Sequence, residues 1–301
     1  MHVTDRTLSS LDEAPQNASV LTRFLELLIQ TEPDAIELSQ KMYDLLSPLP
    51  EYPGYIVRGG DKAAHEIQLN DIQDLNAAVR FKDCKKIRVQ GLGGIITEDY
   101  LNIFKRLREF FSGEIEFCPA DNYHFATALA VEWLTSGIAA SNGAVNGVAT
   151  SFGGTGGFAA TEEVVMILKL AGLRKPEKTY SFFPEMTSLL NKITAKPVRR
   201  NKPILGRRIF HVESGIHVDG ILKDPKCYEP FPPETVGLKR KIVIGRQSGT
   251  ASIKTKLEEL GLDCDEEKIP AVLEGVRIMS EKKRGALNNN EFAQIVKERS
   301  A

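Results

Sequence analysis

The chain lacks several features that would assign it to a common class of protein. Its four cysteines are widely scattered and form no C-x-x-C pair, which argues against a disulfide framework and against a thiolate zinc site. Its five histidines form no H-x-H or H-x-x-x-H pair, so the sequence contains no motif for a self-contained metal site. The cysteines are therefore expected to be reduced thiols.

The chain also lacks an excess of charge of either sign. Its 39 basic and 40 acidic residues leave a formal net charge of -1, which gives no electrostatic indication of a nucleic-acid or anionic-membrane partner. The first residues contain no basic segment followed by an apolar run, and no stretch approaches the ~18 to 20 apolar residues of a membrane span. We therefore expect a cytoplasmic protein that binds small molecules or proteins, with no nucleic acid and no membrane.

What the sequence does contain is an alternation of short apolar runs and longer segments with helical periodicity, typical of parallel sheets with crossover helices. The predicted strands are AIELS (35–39), GYIVRGG (54–60), KKIRVQGLGGI (85–95), EIEFCPA (114–120) and AVNGVATSF (144–152). The predicted helices are ASVLTRFLELLIQ (18–30), TEDYLNIFKRLREFF (97–111, N-cap Thr97), NYHFATALAVEWLTSG (122–137) and the helix that ends at AG (171–172). The first ~190 residues therefore hold about six strand-helix units, whereas a closed eightfold barrel needs ~250 residues.

A basic, proline-bearing segment without periodicity, ITAKPVRRNKPILGRR (193–208), is typical of a linker. Three helical patterns follow it, at 250–261, 267–284 and 288–300. The sequence therefore predicts two parts, a shortened (β/α) region at residues 1–195 and a linker with a small helical subdomain at residues 196–301.

Glycine-rich turns are the first candidates for ligand binding. GGTGG (153–157) precedes a helix, where backbone N–H groups can hold an anion. It has neither the G-x-G-x-x-G spacing nor the Lys-Ser/Thr of a P-loop. A tight strand-to-helix turn is the favoured interpretation for this segment and for GLGG (91–94).

The segment SGIHVDG (214–220) is the stronger candidate for chemistry. Histidine is the side chain best suited to move a proton near neutral pH, and His217 is followed by Asp219 and, further on, by Tyr228. Spacing alone leaves two interpretations open. His217 and Tyr228 are catalytic, or His217 and Asp219 stabilise a packed turn.

Residues 203–249, which include GRRIFHVESGIHVDGILKDPKCYEPF, strongly resemble the linker and helical subdomain of homocitrate synthase and 2-isopropylmalate synthase. These enzymes belong to the acyl-CoA-condensing metallolyase superfamily. The resemblance implies a TIM-barrel-like domain before this segment. It also implies that His217 and Tyr228 act in trans, in the active site of a neighbouring subunit, with Glu213 and Asp219 as structural supports.

Upstream of residue 203, successive segments resemble the family's barrel motifs in the same order, but the catalytic and metal-binding residue types are absent from them. VTDRTLSSLDEAP (3–15), AIELS, IRVQGLGGIITEDY (87–100), EFCPADNYHFATALA (116–130) and VATSFGGTGGFAATEEVVM (148–166) resemble successive barrel motifs. The family's catalytic arginine falls on Ser9, and its metal-binding aspartate falls on Ser10. The other functional positions fall on Cys118 and Ala120 (histidine ligands), Gly154 and Thr155 (Glu-Arg), and Gly91 and Leu92 (Asp-Thr). Hydroxyls, a methyl group and a lone thiol are poor ligands for a hard divalent cation.

The resemblance thus implies an incomplete barrel, with about two βα units missing between AIELS and IRVQG, and a degenerate active site. The expected function is that of an omega-like subunit of a hetero-oligomeric homocitrate synthase, inactive alone. The resemblance implies a catalytic barrel subunit as partner, with acetyl-CoA and a 2-oxo acid, 2-oxoglutarate, at the shared site. It further implies a divalent metal on the partner, no cofactor bound by this chain alone, and a connection with nitrogen fixation.

Two alternatives stay open at this point. The chain could be a regulatory or scaffolding pseudoenzyme related to these synthases, contributing no catalytic group. It could also be an active enzyme with new chemistry in the remodelled barrel.

Overall fold

A computed structural model describes residues 1–12, 17–52, 54–70, 72–91, 100–138 and 145–300. The chain divides into two compact units, unit 1 (Met1–Leu205) and unit 2 (Gly206–Ala301). Residues 195–210 form turns and irregular backbone, as the proline-bearing linker segment predicts. None of the helices in the described part of the chain combines the length and apolar character needed to cross a bilayer.

Unit 1 is built on one parallel sheet of seven strands. These are β1 (His2–Asp5), β2 (Ala35–Leu38), β3 (Tyr55–Val57), β4 (His65–Leu69), β5 (Lys86–Gly91), β6 (Glu114–Pro119) and β7 (Gly147–Thr150). Their order in the sheet is β3-β2-β1-β7-β6-β5-β4. Because the last strand pairs with the first, the strands follow the cyclic order of a barrel, and the order is interrupted between β3 and β4.

The helices of unit 1 follow the strands in most of the crossovers. They are α1 (Ala18–Thr31), α2 (Gln40–Leu46), α3 (Leu75–Ala78), α4 (Tyr100–Phe110), α5 (Ala126–Thr135), α6 (Thr161–Leu170) and α7 (Phe183–Thr194). The side chain of Asn17 accepts a hydrogen bond from the Val20 N–H and caps α1. The expected N-cap of α4, Thr97, lies outside the described residues, as do Leu92, Gly93 and Gly94.

The missing part of the barrel lies between β3 and β4. Residues 58–64 join these strands without a helix, whereas parallel neighbours need a crossover of a dozen or more residues. With seven strands in the described part of the chain against eight in a complete barrel, the described sheet is one strand short, where two missing βα units were expected. The sequence pattern missed β4, HEIQL, because exposed polar residues alternate with only two buried apolar ones.

A large aromatic cluster fills the core of unit 1. The rings of Phe104 and Trp133 are stacked with centroids 4.2 Å apart, and Phe104 meets Phe117 edge to face at 4.9 Å. The indole Nε1 of Trp133 donates to the Gly147 carbonyl at 2.9 Å, so the buried polar atom is satisfied. This cluster fixes α4 and α5 against β6 and β7.

Unit 2 is mainly helical. It contains β8 (His211–Val212) and β9 (Lys241–Ile242), with α8 (Gly215–Lys223), α9 (Thr250–Leu260), α10 (Ile269–Lys283) and α11 (Asn289–Ser300). Its core packs residues of α9, α10 and α11, including Ile253, Val272, Val276 and Phe292. The fold class is confirmed: an α/β sheet forming an incomplete barrel, followed by a helical region. Helix α8 itself was not predicted, because its two glycines weaken the helical signal.

Two glycines let α8 and α9 approach each other. A Cβ on Gly215 would lie 2.5 Å from the Gly249 Cα. We expect Gly215→Ala to destabilise unit 2 by ~2 kcal/mol, since backbone cannot yield to the added methyl group. Urea unfolding followed by circular dichroism measures the loss. The fluorescence of the single tryptophan, Trp133, reports on unit 1 and should be unchanged.

The matched control is Gly285→Ala. A Cβ on Gly285 would meet nothing within 4 Å, so this change should be neutral or slightly stabilising. Equal stabilities for the two variants would contradict the close approach.

Candidate functional site

The interior of the sheet in unit 1 holds a network of buried charges centred on Arg88. Its Nη1 lies 2.5 Å from Glu37 Oε2 and 3.1 Å from Glu66 Oε1, and its Nε lies 2.5 Å from Glu116 Oε2. Arg88 and Glu116 are 2% and 0% exposed. Strand register explains the grouping, because Arg88 on β5 lies directly beside Glu66 on β4 and Glu116 on β6.

Neighbouring side chains complete the network. Lys86 Nζ lies 3.1 Å from Glu116 Oε1, and the Thr4 hydroxyl donates to the same oxygen at 2.5 Å. Arg6 Nε lies 3.7 Å from Glu37 Oε1, and its guanidinium stacks 4.3 Å above the Phe158 ring. The buried carboxylates are thus each matched by cations.

The pKa values follow from this arrangement. Burial alone raises the pKa of Glu116, but Arg88 and Lys86 outweigh it and lower the pKa to about 2. Burial alone lowers the pKa of Arg88, and the carboxylates of Glu116 and Glu37 raise it above its usual range. These groups are therefore charged at neutral pH and hold one another in place.

This network occupies the positions at which the resemblance places metal and substrate chemistry. Ser9 Oγ donates to Glu37 Oε1 at 2.8 Å, and Ser10 Oγ donates to the Arg6 carbonyl at 3.0 Å. The buried Cys118 thiol, whose pKa burial raises, accepts from Arg6 Nη1 at 3.2 Å. Ala120 offers no ligand atom on its side chain. These residues do not fit a divalent metal, since the oxygens and the sulfur serve the network and no carboxylate or imidazole replaces the family's ligands.

Across the ranges that the structure describes, no group of three or more His, Cys, Asp or Glu side chains has the arrangement of a metal site.

A cavity of ≈ 790 Å³ persists in unit 1, and Ser10, Gly154 and Thr155 contribute to its wall. Its volume lies in the range of small-molecule sites. The positions that would carry the family's aspartate, glutamate and arginine therefore still face a cavity, but they now present a hydroxymethyl group, a glycine and a threonine.

The glycine-rich segment at 153–157 is a tight turn, as favoured from the sequence. The N–H groups of Gly154, Thr155 and Gly157 are donated to carbonyls within or next to the turn, and that of Gly153 is donated to Glu162 Oε2 at 2.8 Å. The carboxylate of Glu162 thus takes the place that an anionic ligand would need. Glu162 is fully buried, and burial raises its pKa to about 7 although Lys202 Nζ lies 3.3 Å away.

The second candidate site lies on α8 of unit 2. The rings of His217 and Tyr228 are in contact, with centroids 4.8 Å apart and an interplanar angle of 49°. His217 is exposed, and Tyr228 is 46% exposed. Ile216 and Leu222, 78% and 55% exposed, add apolar surface beside them. The two sequence-predicted site residues are therefore brought together on the surface of their own unit.

Helix α8, which carries His217, is anchored by buried side chains and by close contacts of Gly220. Val218 and Ile221 of α8 are buried. A Cβ on Gly220 would lie 2.3 Å from the Tyr228 ring, so glycine is needed there for the tyrosine to pack. Glu229, next to Tyr228, receives two hydrogen bonds from Arg240, at 2.7 and 2.6 Å, and this fork fixes the chain beyond the tyrosine.

The interpretation of His217 and Asp219 as partners in a packed turn is wrong. Both lie on a helix, and Asp219 pairs with Lys223 one turn further on at 2.7 Å. Glu213 has a supporting contact, since its Oε1 accepts the Gln247 N–H at 2.9 Å.

The chain is similar to known proteins, both over nearly its whole length and over residues 204–284 in particular. A family model described as homocitrate synthase post-HMGL domain-like matches residues 204–284. The homocitrate synthase omega subunit of Clostridium pasteurianum is 29% identical over 345 aligned positions, which cover 99% of this chain and 95% of that protein. Homocitrate synthase AksA of Methanothermobacter thermautotrophicus is 35% identical over 66% of this chain and 49% of that protein. 2-Isopropylmalate synthase 2 of Caldanaerobacter subterraneus subsp. tengcongensis is 34% identical over 74% of this chain and 59% of that protein.

An incomplete parallel barrel is followed by a helical unit in which a histidine and a tyrosine are in contact. The chain is similar to homocitrate synthases and 2-isopropylmalate synthases, and it resembles the omega subunit over nearly its full length. It covers only about half of the homocitrate synthase AksA. Because the alignment with the omega subunit has 345 positions and the chain 301 residues, at least 44 positions are gaps in this chain.

The charge network is what sequence reasoning missed. Its signal is a charged residue at an interior position of each of four strand segments: Glu37 in AIEL, Glu66 in HEIQL, Arg88 in KIRV and Glu116 in EIEF. A charge in a buried strand implies a partner on a neighbouring strand. Which strands are neighbours follows only from the barrel order.

Arg88→Leu tests the network. We expect it to lower the free energy of unfolding of unit 1 by ~3–5 kcal/mol, because Glu37 and Glu116 lose their main counter-charge while buried. Urea unfolding followed by Trp133 fluorescence gives the value. Arg58→Gln, which removes a 47%-exposed arginine paired with Glu66 at 2.9 Å, should cost less than ~1 kcal/mol. Similar small effects for both variants would refute the role of the network.

Glu162→Gln tests the buried acid in the glycine turn. The folded protein keeps the Glu162 proton up to about pH 7, whereas the unfolded chain releases it near 4.5. Stability should therefore fall as pH rises through this window. The variant should match the unsubstituted protein at pH 5 and exceed it by ~1–3 kcal/mol at pH 8, measured by Trp133 fluorescence in urea. Glu298→Gln, on α11, should leave the pH profile unchanged, and a Glu162→Gln profile parallel to that of the unsubstituted protein would contradict the raised pKa.

Proposed function

We propose that the chain is the omega-like subunit of a hetero-oligomeric homocitrate synthase, which condenses acetyl-CoA with 2-oxoglutarate. A second chain with an intact barrel supplies the divalent metal, the catalytic arginine and most of the substrate pocket. The present chain supplies His217 and Tyr228 in trans. It is an acyltransferase subunit that is inactive alone.

The observation that carries this proposal is the contrast between the two units. In unit 1, the positions that would hold metal and substrate are tied into the Arg88 network or reduced to Gly154 and Thr155. In unit 2, His217 and Tyr228 are in ring contact and exposed. Groups needed for chemistry within this barrel are absent, whereas groups that could act on a neighbour are present and positioned.

The contacts that position His217 and Tyr228 support a functional role for the pair. An exposed His–Tyr contact contributes little to stability by itself, yet Gly220 leaves space for the Tyr228 ring. The two hydrogen bonds that Arg240 donates to the buried Glu229 fix the adjoining backbone. Supporting contacts of this kind are expected where the orientation of two side chains must be fixed before another molecule binds.

The pair offers proton-transfer chemistry. Condensation with acetyl-CoA begins with removal of a proton from its methyl group, and this requires a base. An imidazole can accept that proton near neutral pH, and a phenol in contact with it can donate or relay one. Both side chains lie on a regular helix or just after it, so a docked partner would receive them in a fixed geometry.

Exposed apolar side chains next to the pair fit a docking role. Ile216, next to His217 in the chain, and Leu222, further along α8, are 78% and 55% exposed. Exposed apolar groups around polar functional ones are typical of protein interfaces. The proposal therefore includes α8 as part of the surface that meets the partner.

The decisive experiment is His217→Ala in a complex reconstituted with a full-length homocitrate synthase-like barrel chain from the same organism. We expect turnover to fall ~10²–10⁴-fold, as for loss of a general acid–base group, while size-exclusion chromatography shows an intact complex. Tyr228→Phe keeps the ring that packs on Gly220 and removes the hydroxyl, so a smaller loss of about tenfold is expected.

His65→Ala is the matched control, because it removes an exposed imidazole on β4 of unit 1 and should leave turnover unchanged. Near-unchanged turnover for His217→Ala in an intact complex would eliminate catalysis in trans and favour a regulatory or scaffolding pseudoenzyme. Condensation by the purified chain alone would eliminate both and indicate new chemistry in the remodelled barrel.

A further inference from the structure

Unit 2 contains a cavity of ≈ 790 Å³ that does not include His217 or Tyr228. It lies where β8 and β9 meet the start of α11. The backbone of Ile244 pairs there with Leu287, and the N–H of Leu287 is donated to the Ile244 carbonyl at 2.8 Å. These backbone contacts give the cavity a defined wall, and its volume is within the range of small-molecule sites.

The charge in this cavity is predominantly positive. Arg208, His211, Lys241 and Lys256 all contribute to its wall. His211 and Lys241 are direct neighbours in the β8–β9 pair. Burial lowers the pKa of His211, and Lys241, Arg208 and Arg207 lower it further, so the positive charge of the wall comes from the arginine and the lysines.

One carboxylate, Glu213, contributes to the same wall, and its Oε1 accepts the Gln247 N–H at 2.9 Å. The buried Lys256 of the wall is paired with Glu259 at 2.5 Å. Arg208 and Lys241 are exposed and make no ion pair with any residue that the structure describes. These two cations therefore outnumber the carboxylate of Glu213, and the wall keeps an excess of positive charge.

The rest of the wall supplies hydrogen-bond donors and an apolar floor. Asn288, Asn289 and Asn290 contribute to the wall, and their side-chain amides can donate to oxygen acceptors. Asn288 also closes a capping box, with the Glu291 N–H at 3.0 Å from its Oδ1, so the start of α11 is fixed. Phe292, 1% exposed, lies beneath. Cations and amide donors above an apolar floor fit a small organic anion.

We propose that this cavity is a binding site for a small polyanion that carries phosphate or carboxylate groups. Arg208 and Lys241 neutralise the anion, and the amides of Asn289 and Asn290 orient its oxygens. The inference does not depend on the proposed function, because it uses none of the residues of the His217 surface.

Isothermal titration calorimetry of the full chain with inorganic pyrophosphate and, separately, with citrate tests the site and distinguishes the two chemistries. We expect saturable binding of at least one of them, with one site per chain and Kd below about 1 mM at low ionic strength. Arg208→Gln with Lys241→Gln should weaken it at least about tenfold. Lys254→Gln with Lys297→Gln removes the same charge outside the cavity wall and should change Kd less than about twofold.

Amide chemical-shift mapping on the unsubstituted protein provides a readout that does not depend on variants. Bound anion should shift resonances of residues 208–213, 241–244 and 286–292. Absence of saturable binding by both anions, equal weakening by the two double variants, or shifts confined to other residues would each overturn the proposal.

Discussion

The ion pairs around Arg88 are the constraint on which the rest of unit 1 depends. Three neighbouring strands place Glu66, Arg88 and Glu116 side by side, and Glu37 reaches the same guanidinium from β2. Charges this deeply buried are tolerated only when each has its counter-charge. The side chains therefore occupy this part of the interior with paired charges, at positions where the resemblance places metal and substrate chemistry.

The same constraint bears on the interrupted barrel. The strand β3 and the strand β4 share no backbone ladder in the described sheet, but Arg58, just after β3, reaches Glu66 on β4 at 2.9 Å. Glu66 in turn contacts Arg88 at 3.1 Å. Side-chain charges thus link the two edges across the place where a strand is missing. Unit 1 contains a cavity, but the positions in its wall at which the resemblance places an aspartate, a glutamate and an arginine carry Ser10, Gly154 and Thr155.

Unit 2 is organised by apolar packing and close glycine contacts, whereas unit 1 depends on buried ion pairs. Its buried residues anchor α8 from one side, and glycines at the contacts with α9 and with Tyr228 set the spacing. The outward face then presents a histidine, a tyrosine and two large apolar side chains. Unit 1 thus buries its charged side chains in ion pairs, whereas unit 2 exposes the His–Tyr pair. The basic cavity near α11 adds a separate surface with its own charge pattern.

The sequence by itself determined the class of fold, because apolar periodicity and the resemblance of successive motifs both depend on local order along the chain. It also singled out the candidate pair His217 and Tyr228, and it showed that Ser9, Ser10, Cys118 and Ala120 stand where the resemblance places an arginine and metal ligands. Most helices and strands follow from the same local patterns, with β4 and α8 as exceptions, since polar residues in one and glycines in the other mask the periodicity. Only the tertiary structure decided which charges meet in the interior of the barrel and that the described sheet is one strand short. It also decided that His217 meets Tyr228, and that Arg208 and Lys241 face the same cavity as Asn289. The physical reason is that each of these depends on which strands, helices and turns are neighbours in space, and contacts between segments that are not adjacent in the chain leave no periodic trace in the sequence.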